Sequence, residues 1–222
     1  MVPIQNKQNI QQKGGLDGMK EKIEIKEIRQ IVCKKLDSLL NMSKEEAAAK
    51  AVLAKMRRGV GHIPGELPEL WGMLFEDMPE KMLSDNGIPS SAEWAVYIAL
   101  TLFALHQQGY TLQKPMYEKG QSFGKAMRAL ARAENGTENE EAFKRIRRRF
   151  NVIATSSDIQ ELAHHMKGAV QLLRNAEITL DYPQLAGELY LYQIPGEATR
   201  VRLRWGEKFY QNYEENEKRK DD

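Results

Sequence analysis

The segment Trp94–Leu105 constrains the fold of this chain most, because it is apolar almost all the way round a helix. Ser90 and Glu93 have the spacing of a capping box, which begins a helix at Ser91 and continues it to about Gln107. A helix that is hydrophobic on every side must be covered by other elements on several sides. The apolar run is also too short to cross a bilayer, which takes about 20 residues. The sequence therefore predicts a central helix surrounded by neighbours.

Helical periodicity recurs along most of the chain, and it predicts an all-α bundle of about eight to nine helices with no substantial sheet, compatible with two helical subdomains. Thr199–Trp205 alternates polar and apolar residues and also fits half of a β-hairpin, but we prefer a helix because every other element is helical. The other predicted helices are Glu21–Met42, a helix capped by Ser43 with Glu46 and ending at Gly59, a short helix whose apolar face is Leu70, Trp71, Leu74 and Phe75, Ser122–Ala133, residues 140–154, helices capped by Ser157 with Gln160 and by Asp181 with Gln184, and Glu197–Tyr213.

Composition divides the chain into four parts. Residues 1–20 are rich in Gln, Asn, Lys and Gly and are expected to be a disordered tail. Residues 21–115 form an N-terminal helical part, and residues 116–213 form a C-terminal helical part with a basic face. Residues 214–222 are a charged tail. With no apolar signal segment and a single cysteine, we expect a cytoplasmic protein with no membrane contact.

The strongest functional signal is a basic run, Lys144–Arg149, on a predicted amphipathic helix. Phe143, Ile146, Phe150 and Ile153 share one face at about 100° per residue, while the basic side chains occupy the other. Arginine forks match phosphate oxygens and keep their charge, so this face is a candidate for binding nucleic acid. The alternative is a solvated helix face paired with neighbouring carboxylates.

Charge is distributed unevenly, although the whole chain carries only +2 from 33 basic and 31 acidic residues. Between Lys125 and Arg149, eight basic residues stand against four glutamates, a local excess of four. The candidate nucleic-acid-binding residues are Arg57, Arg58, Lys125, Arg128, Arg132, Lys144, Arg145, Arg147, Arg148 and Arg149. For Arg57 and Arg58 the competing role is that of cations at a helix C-terminus. Any binding should be dominated by backbone charge and depend on salt.

Signals for catalysis are weak. The histidines at 62, 106, 164 and 165 lack the spacing of metal ligands, and no glycine-rich phosphate loop is present. Cys33 lies among apolar residues and is expected to be a small buried hydrophobe. We therefore predict no catalytic residues, no metal, no cofactor and no small-molecule substrate.

The order of motifs along the chain resembles that of the CasB family, the small subunit of the type I-E CRISPR Cascade complex. The resemblance covers most of residues 45–210 in the family's order. Its matching pieces are Met56–Gly59, Ala99–Gln107, Ser122–Ala131, Arg147–Ala154, Leu180–Leu185 and Trp205–Tyr210.

The resemblance implies an all-helical, non-catalytic protein that acts in antiviral defence. It implies as partners the other Cascade subunits, guide RNA and a second copy of the chain. Its basic surfaces would contact the target and displaced DNA strands and hold an R-loop open. Gly124 would let a helix or a nucleic-acid strand approach closely, and Trp205 and Tyr210 would be core residues. Two other functions remain open: a helical DNA-binding regulator, and an assembly subunit whose basic helix meets an acidic protein partner.

Overall fold

A computed structural model describes residues 22–42, 46–133 and 140–211 of the chain. This part of the protein is all-α, as predicted, with nine α-helices and no strand; one isolated bridge joins Tyr117 to Leu180. None of its helices is both long enough and apolar enough to span a bilayer. The helices are α1 Ile25–Asn41, α2 Glu46–Arg58, α3 Trp71–Phe75, α4 Ser91–His106, α5 Phe123–Ala133, α6 Glu140–Ala154, α7 Ile159–Asn175, α8 Tyr182–Tyr192 and α9 Ala198–Tyr210.

Helix α4 is the central helix that its composition predicts. Every residue from Ala95 to Gln107 is buried, because α1, α2, α7 and α8 all pack against it. The predicted capping box is present. The Ser90 hydroxyl accepts a hydrogen bond from the backbone N–H of Glu93 (3.1 Å), and the Glu93 carboxylate accepts one from the Ser90 N–H (2.6 Å).

Helix α8 is buried along almost its whole length, since it lies against both α1 and α4. Gly187 makes the close approach of α1 feasible. A Cβ atom at this position would stand 2.8 Å from Nε of Arg29 and 2.9 Å from Cγ2 of Ile25. Asp181 caps the helix as predicted, by accepting a hydrogen bond from the Gln184 N–H (2.9 Å).

The N-terminus of α7 differs from the prediction by one residue. Asp158 is the N-cap, and its carboxylate accepts hydrogen bonds from the backbone N–H groups of Gln160 and Glu161 at 2.9 and 2.8 Å. Ser157 instead donates its N–H and its hydroxyl to the Glu161 carboxylate, both at 2.7 Å. The Asp158 side chain accepts two N–H bonds at the start of the helix, whereas the Ser157 hydroxyl is used as a donor to Glu161.

The C-terminal segment is helical, so the hairpin alternative for residues 199–205 is wrong. Trp205 is buried, with 1% of its surface exposed, as expected of a core residue. Tyr210 is 54% exposed because it lies in the last turn of α9, beyond the packed face, and its predicted core role is wrong. Trp71 also departs from its predicted apolar face: it is 49% exposed and donates its indole N–H to the Gly65 carbonyl (2.8 Å).

Cys33 is half-buried, and the prediction of a core position is wrong. Cys33 comes directly after the buried Val32 on α1, so its side chain points to one side of the buried face of the helix. Its thiol lies 3.6 Å from a carboxylate oxygen of Asp37, one helical turn ahead. Partial burial, and secondarily the negative charge of Asp37, raise the pKa of the thiol.

Three predicted features lie outside the described residues. They are the tails 1–20 and 214–222 and the capping residue Ser43. The division into an N-terminal and a C-terminal helical part stays a prediction.

Candidate nucleic-acid interface

Helix α6 is fastened to α5 and α9 by an aromatic cluster. Phe150 stacks on Phe209 with ring centroids 4.5 Å apart, and Phe143 lies 5.5 Å from the same ring. Phe123 meets Trp205 edge-on at 5.0 Å and also stacks with Phe150 at 6.0 Å. Aromatic side chains each bury about 150–250 Å² and prefer such offset and edge-on geometries. The apolar stripe predicted for α6 therefore fixes which face of the helix points to solvent.

The outer face of α6 carries three consecutive exposed arginines, Arg147, Arg148 and Arg149. Arg148 lies nearly opposite the buried stripe, with the other two on its flanks. No carboxylate within the described ranges forms an ion pair with any of the three. The positive charge of Arg147 nevertheless helps to lower the pKa of Glu140, so the choice between the two interpretations of the basic run stays a prediction. Each of the three arginines offers a planar fork of donors that can bind phosphate oxygens in bidentate fashion.

Arg149 extends the positive surface from α6 to α7. One of its guanidinium nitrogens lies 3.2 Å from where a Cβ atom would stand on Gly168, so the side chain crosses the neighbouring helix. The residue before this glycine, Lys167, is exposed. These contacts bring together positive charges that are far apart in the sequence.

Lys144 behaves differently from the arginines that follow it. Its ammonium forms ion pairs with Glu140 (2.8 Å) and Glu141 (3.1 Å), one turn earlier on the same helix. These hydrogen bonds raise the pKa of Lys144 and lower that of Glu140. For this residue the solvated, paired face is the correct description. Arg145 is exposed on the flank of α6 that faces α7.

The predicted row of cations on α5 is largely engaged inside the fold. Lys125 donates to the Gly120 carbonyl (3.1 Å). Arg128 donates to the Phe209 carbonyl (3.2 Å), which satisfies an acceptor at the end of α9, and its guanidinium lies 5.5 Å from the centre of the Phe143 ring. Arg132 is half-buried. Phosphate binding by this row stays a prediction, and Arg128 already has a structural role.

Gly124 allows helix α9 to pack closely against α5 because it has no side chain. A Cβ atom there would collide with the backbone carbonyl of Trp205, and it would stand 2.8 Å from Cβ of Lys208 and 3.2 Å from the backbone nitrogen of Phe209. Helix α9 therefore occupies the space that the missing side chain leaves. Of the two predicted neighbours, helix or nucleic-acid strand, the structure places the helix against this glycine.

The cations at the end of α2 lie on another part of the surface. Arg58 is exposed and pairs with Glu69 (3.2 Å), whereas Arg57 is half-buried and forms no ion pair with a described carboxylate. Both close α2 immediately before the loop that begins at Gly59. Their position at a helix C-terminus also fits the predicted alternative of a favourable interaction with the helix dipole.

The histidines do not form a metal site within the described ranges, where no group of three potential ligands occurs. His106 is fully buried, and its Nδ1 lies 2.8 Å from the Tyr182 hydroxyl. Burial lowers the pKa of His106 to about 4, so the imidazole is neutral near pH 7. His62 lies 2.9 Å from a Glu66 oxygen, and His165 lies 3.6 Å from Glu161.

Two features of the fold are not among the sequence-based predictions. One is a buried carboxylate, Glu188, which accepts hydrogen bonds from the Trp205 indole (2.6 Å) and the Gln184 amide (2.8 Å), and whose pKa burial raises. The other is a groove of about 260 Å³ between α4, α7 and the loop after α2. Glu188 bonds to a donor one turn earlier on its own helix and to one on the next helix, whereas the groove draws its residues from elements far apart in the chain.

The comparisons with known proteins agree on one family. The family model of CRISPR-associated protein Cse2 matches residues 52–210, a span that contains all ten candidate cations. Among solved structures, the crystal structure of CasB from Thermobifida fusca is similar in fold, with a TM-score of 0.67 and 30% sequence identity. The similarity covers 83% of this chain and 98% of that one. No curated protein matches the chain.

Proposed function

The chain belongs to the Cse2 (CasB) family of CRISPR-associated Cascade subunits, and on that premise we propose that it binds nucleic-acid backbone within this complex without catalysing a reaction. The binding is sequence-independent and stabilises the R-loop through the target and displaced DNA strands. We place the protein in a type I-E complex in the cytoplasm, beside guide RNA and a second copy of the chain. Its role there is antiviral defence.

One observation carries this proposal: three consecutive exposed arginines on the outer face of α6. The aromatic cluster beneath α6 holds Arg147, Arg148 and Arg149 on the solvent side. Adjacent guanidinium groups repel one another, and an anion bound beside them relieves that repulsion. A phosphate backbone is the partner whose charge, spacing and oxygen geometry suit them.

Backbone binding is enough to affect R-loop formation. Replacing a DNA duplex with a guide–target duplex is nearly balanced in free energy, so contacts with the separated strands can decide whether the loop stays open. Any sequence can be displaced, and contacts that ignore the bases are therefore suitable. Arginines on a firmly packed helix provide such contacts with little loss of conformational freedom of the backbone.

The test is a salt titration of DNA binding by the assembled complex. We compare the wild-type chain with the triple variant Arg147→Gln, Arg148→Gln, Arg149→Gln. Each phosphate contact contributes about 0.7 to 0.9 to the slope of log K against log salt. The triple variant should therefore lower the slope by about 2 to 3 for each copy that contacts DNA. Its helical circular dichroism should match that of the wild type, because the substituted side chains are exposed.

The matched control removes the same charge from another place. Lys26, Lys34 and Lys50 are exposed and already pair with Glu24, Asp77 and Glu46. Changing these three lysines to glutamine should leave the salt slope unchanged. An unchanged slope in the arginine variant refutes the proposal. Specific footprinting of one duplex by the isolated chain would favour a regulator, and nuclease-insensitive co-purification with an acidic protein would favour an assembly role.

A further inference from the structure

The groove between α4, α7 and the loop after α2 has the composition of a nucleotide site. Its wall includes the half-buried indole of Trp94, together with the apolar Ile63. Its polar lining includes His62, Gln160 and His164. Lys167 lines the groove as well, and the groove lining contains no aspartate or glutamate. An aromatic surface next to cationic and amide groups is the combination that binds single-stranded nucleic acid.

The size of the groove limits what it can hold. Its volume of about 260 Å³ is below the range of about 300–1,000 Å³ typical of pockets for drug-sized molecules. One planar ring system fits this volume better than a longer ligand does. A nucleobase has such a shape, and its sugar and phosphate can remain outside the groove.

His62 lines the groove, and a contact with Glu66 fixes its ring. Its Nδ1 lies 2.9 Å from a Glu66 oxygen, and the hydrogen bond from His62 lowers the pKa of that carboxyl. Because an ionised carboxylate can only accept, Nδ1 is the donor in this hydrogen bond. Gly61 makes this loop geometry possible, since its φ of +94° lies in the left-handed region that favours glycine.

Two elements that line the groove are next to candidate cations in the chain or in space. Arg57 and Arg58 end α2 just before the loop that lines it. On α7, Lys167 lines the groove, and Arg149 reaches across the next residue, Gly168. No described carboxylate forms an ion pair with Lys167.

We propose that this groove binds one nucleotide of a single strand, with its base stacked on Trp94 and its phosphate beside Lys167. The inference rests on the proposed function, because it assumes that a single strand follows the basic surface. It adds a stacking contact to what would otherwise be binding by charge alone. Polar groups from His62, Gln160 and His164 then surround the edge of the base.

The test uses the full chain and a short oligothymidylate that carries 2-aminopurine, whose fluorescence falls when it stacks. Trp94→Leu keeps an apolar side chain but removes the aromatic face, and Trp94→Phe restores one. Stacking of one base corresponds to about a fivefold to hundredfold change in affinity. We expect Trp94→Leu to weaken binding by that factor with an unchanged salt slope, and Trp94→Phe to retain most of the affinity. Thermal melts of both variants establish that they are folded.

A second pair of variants examines the charge at the groove. Lys167→Gln should weaken binding and lower the salt slope by about 1, as expected for one phosphate contact. Lys50→Gln is the matched control, since Lys50 already pairs with Glu46 at 2.6 Å, and it should leave the slope unchanged. An equal slope in Lys167→Gln and wild type overturns the phosphate contact.

The outcomes separate this inference from the proposed function. If Trp94→Leu binds like the wild type while the α6 arginine variant loses salt dependence, the groove proposal is overturned and the backbone role stands. If the wild-type chain does not quench the 2-aminopurine, the groove proposal is also overturned, and the salt titration of the complex still decides the backbone role. Displacement of the oligonucleotide by oligoglutamate in a Trp94-dependent manner assigns the groove to an acidic peptide and overturns the nucleotide.

Discussion

Replacing Gly124 with alanine tests how the basic helices are fastened to the core. The added Cβ atom would overlap the Trp205 carbonyl and would stand 2.8 Å from Cβ of Lys208. A third neighbour, the backbone nitrogen of Phe209, would be 3.2 Å away. Two of these three atoms belong to the backbone of α9, so relief requires that α9 move away from α5.

Overpacking of this kind costs about 1–3 kcal/mol, and the alanine recovers up to about 1 kcal/mol through its higher helix propensity. We therefore expect the free energy of unfolding to fall by about 1–2 kcal/mol. For a chain of this size, each kcal/mol shifts Tm by about 2–4 °C. Gly124→Ala should therefore lower Tm by about 2–8 °C.

The assay is thermal unfolding followed by circular dichroism, with Gly206→Ala as the matched control. Gly206 lies in α9, and a Cβ atom there would have no neighbour within 4 Å. That variant should be as stable as the wild type or more stable by about 0.4–1 kcal/mol. If Gly124→Ala melts at or above the wild-type temperature, the inferred close contact between α5 and α9 is wrong.

Two further predictions concern buried polar groups. The pKa of His106 is lowered to about 4 in the folded state against about 6.5 unfolded, so the unfolded chain binds a proton that the folded chain does not. The contribution of neutral His106 to the free energy of unfolding is fully present above about pH 6.5. It should fall by on the order of 3 kcal/mol as the pH drops to 4. Urea unfolding across this range should show a shallower loss for His106→Gln than for the wild type; parallel curves would contradict the assignment. Trp205→Phe removes the indole donor from the buried Glu188 carboxylate and should cost about 1–3 kcal/mol. Adding Glu188→Met should recover part of that cost in the same assay, and a double variant no more stable than the single one would show that the hydrogen bond is not the cause.

Features that depend on neighbouring residues in the chain could be predicted from the sequence. The Ser90–Glu93 capping box and the apolar residues of α4 determine a buried helix locally, and both are present. The stripe on α6 similarly predicts which of its faces is covered. Local alternation left α9 ambiguous, and it is helical because Trp205 and Phe209 bury their rings against α5 and α6.

Features that depend on contacts between distant helices could not be predicted. Arg128 and Arg147 are both basic residues on amphipathic helices, yet Arg128 bonds to the end of α9 and Arg147 faces solvent. The difference comes from which helix lies alongside, and spacing does not report it. The same holds for Gly124, for the exposure of Tyr210, and for a groove assembled from three separate elements.

The most direct test of the central claim is a crosslink from the outer face of α6. A photo-crosslinking phenylalanine derivative replaces Arg148 in the assembled complex, which is then bound to DNA with each strand labelled separately. The same derivative at Gln30, exposed on α1, is the control. We predict a DNA adduct from position 148 and none from position 30. Crosslinks from position 148 only to protein subunits would contradict the claim that these arginines contact the nucleic-acid backbone.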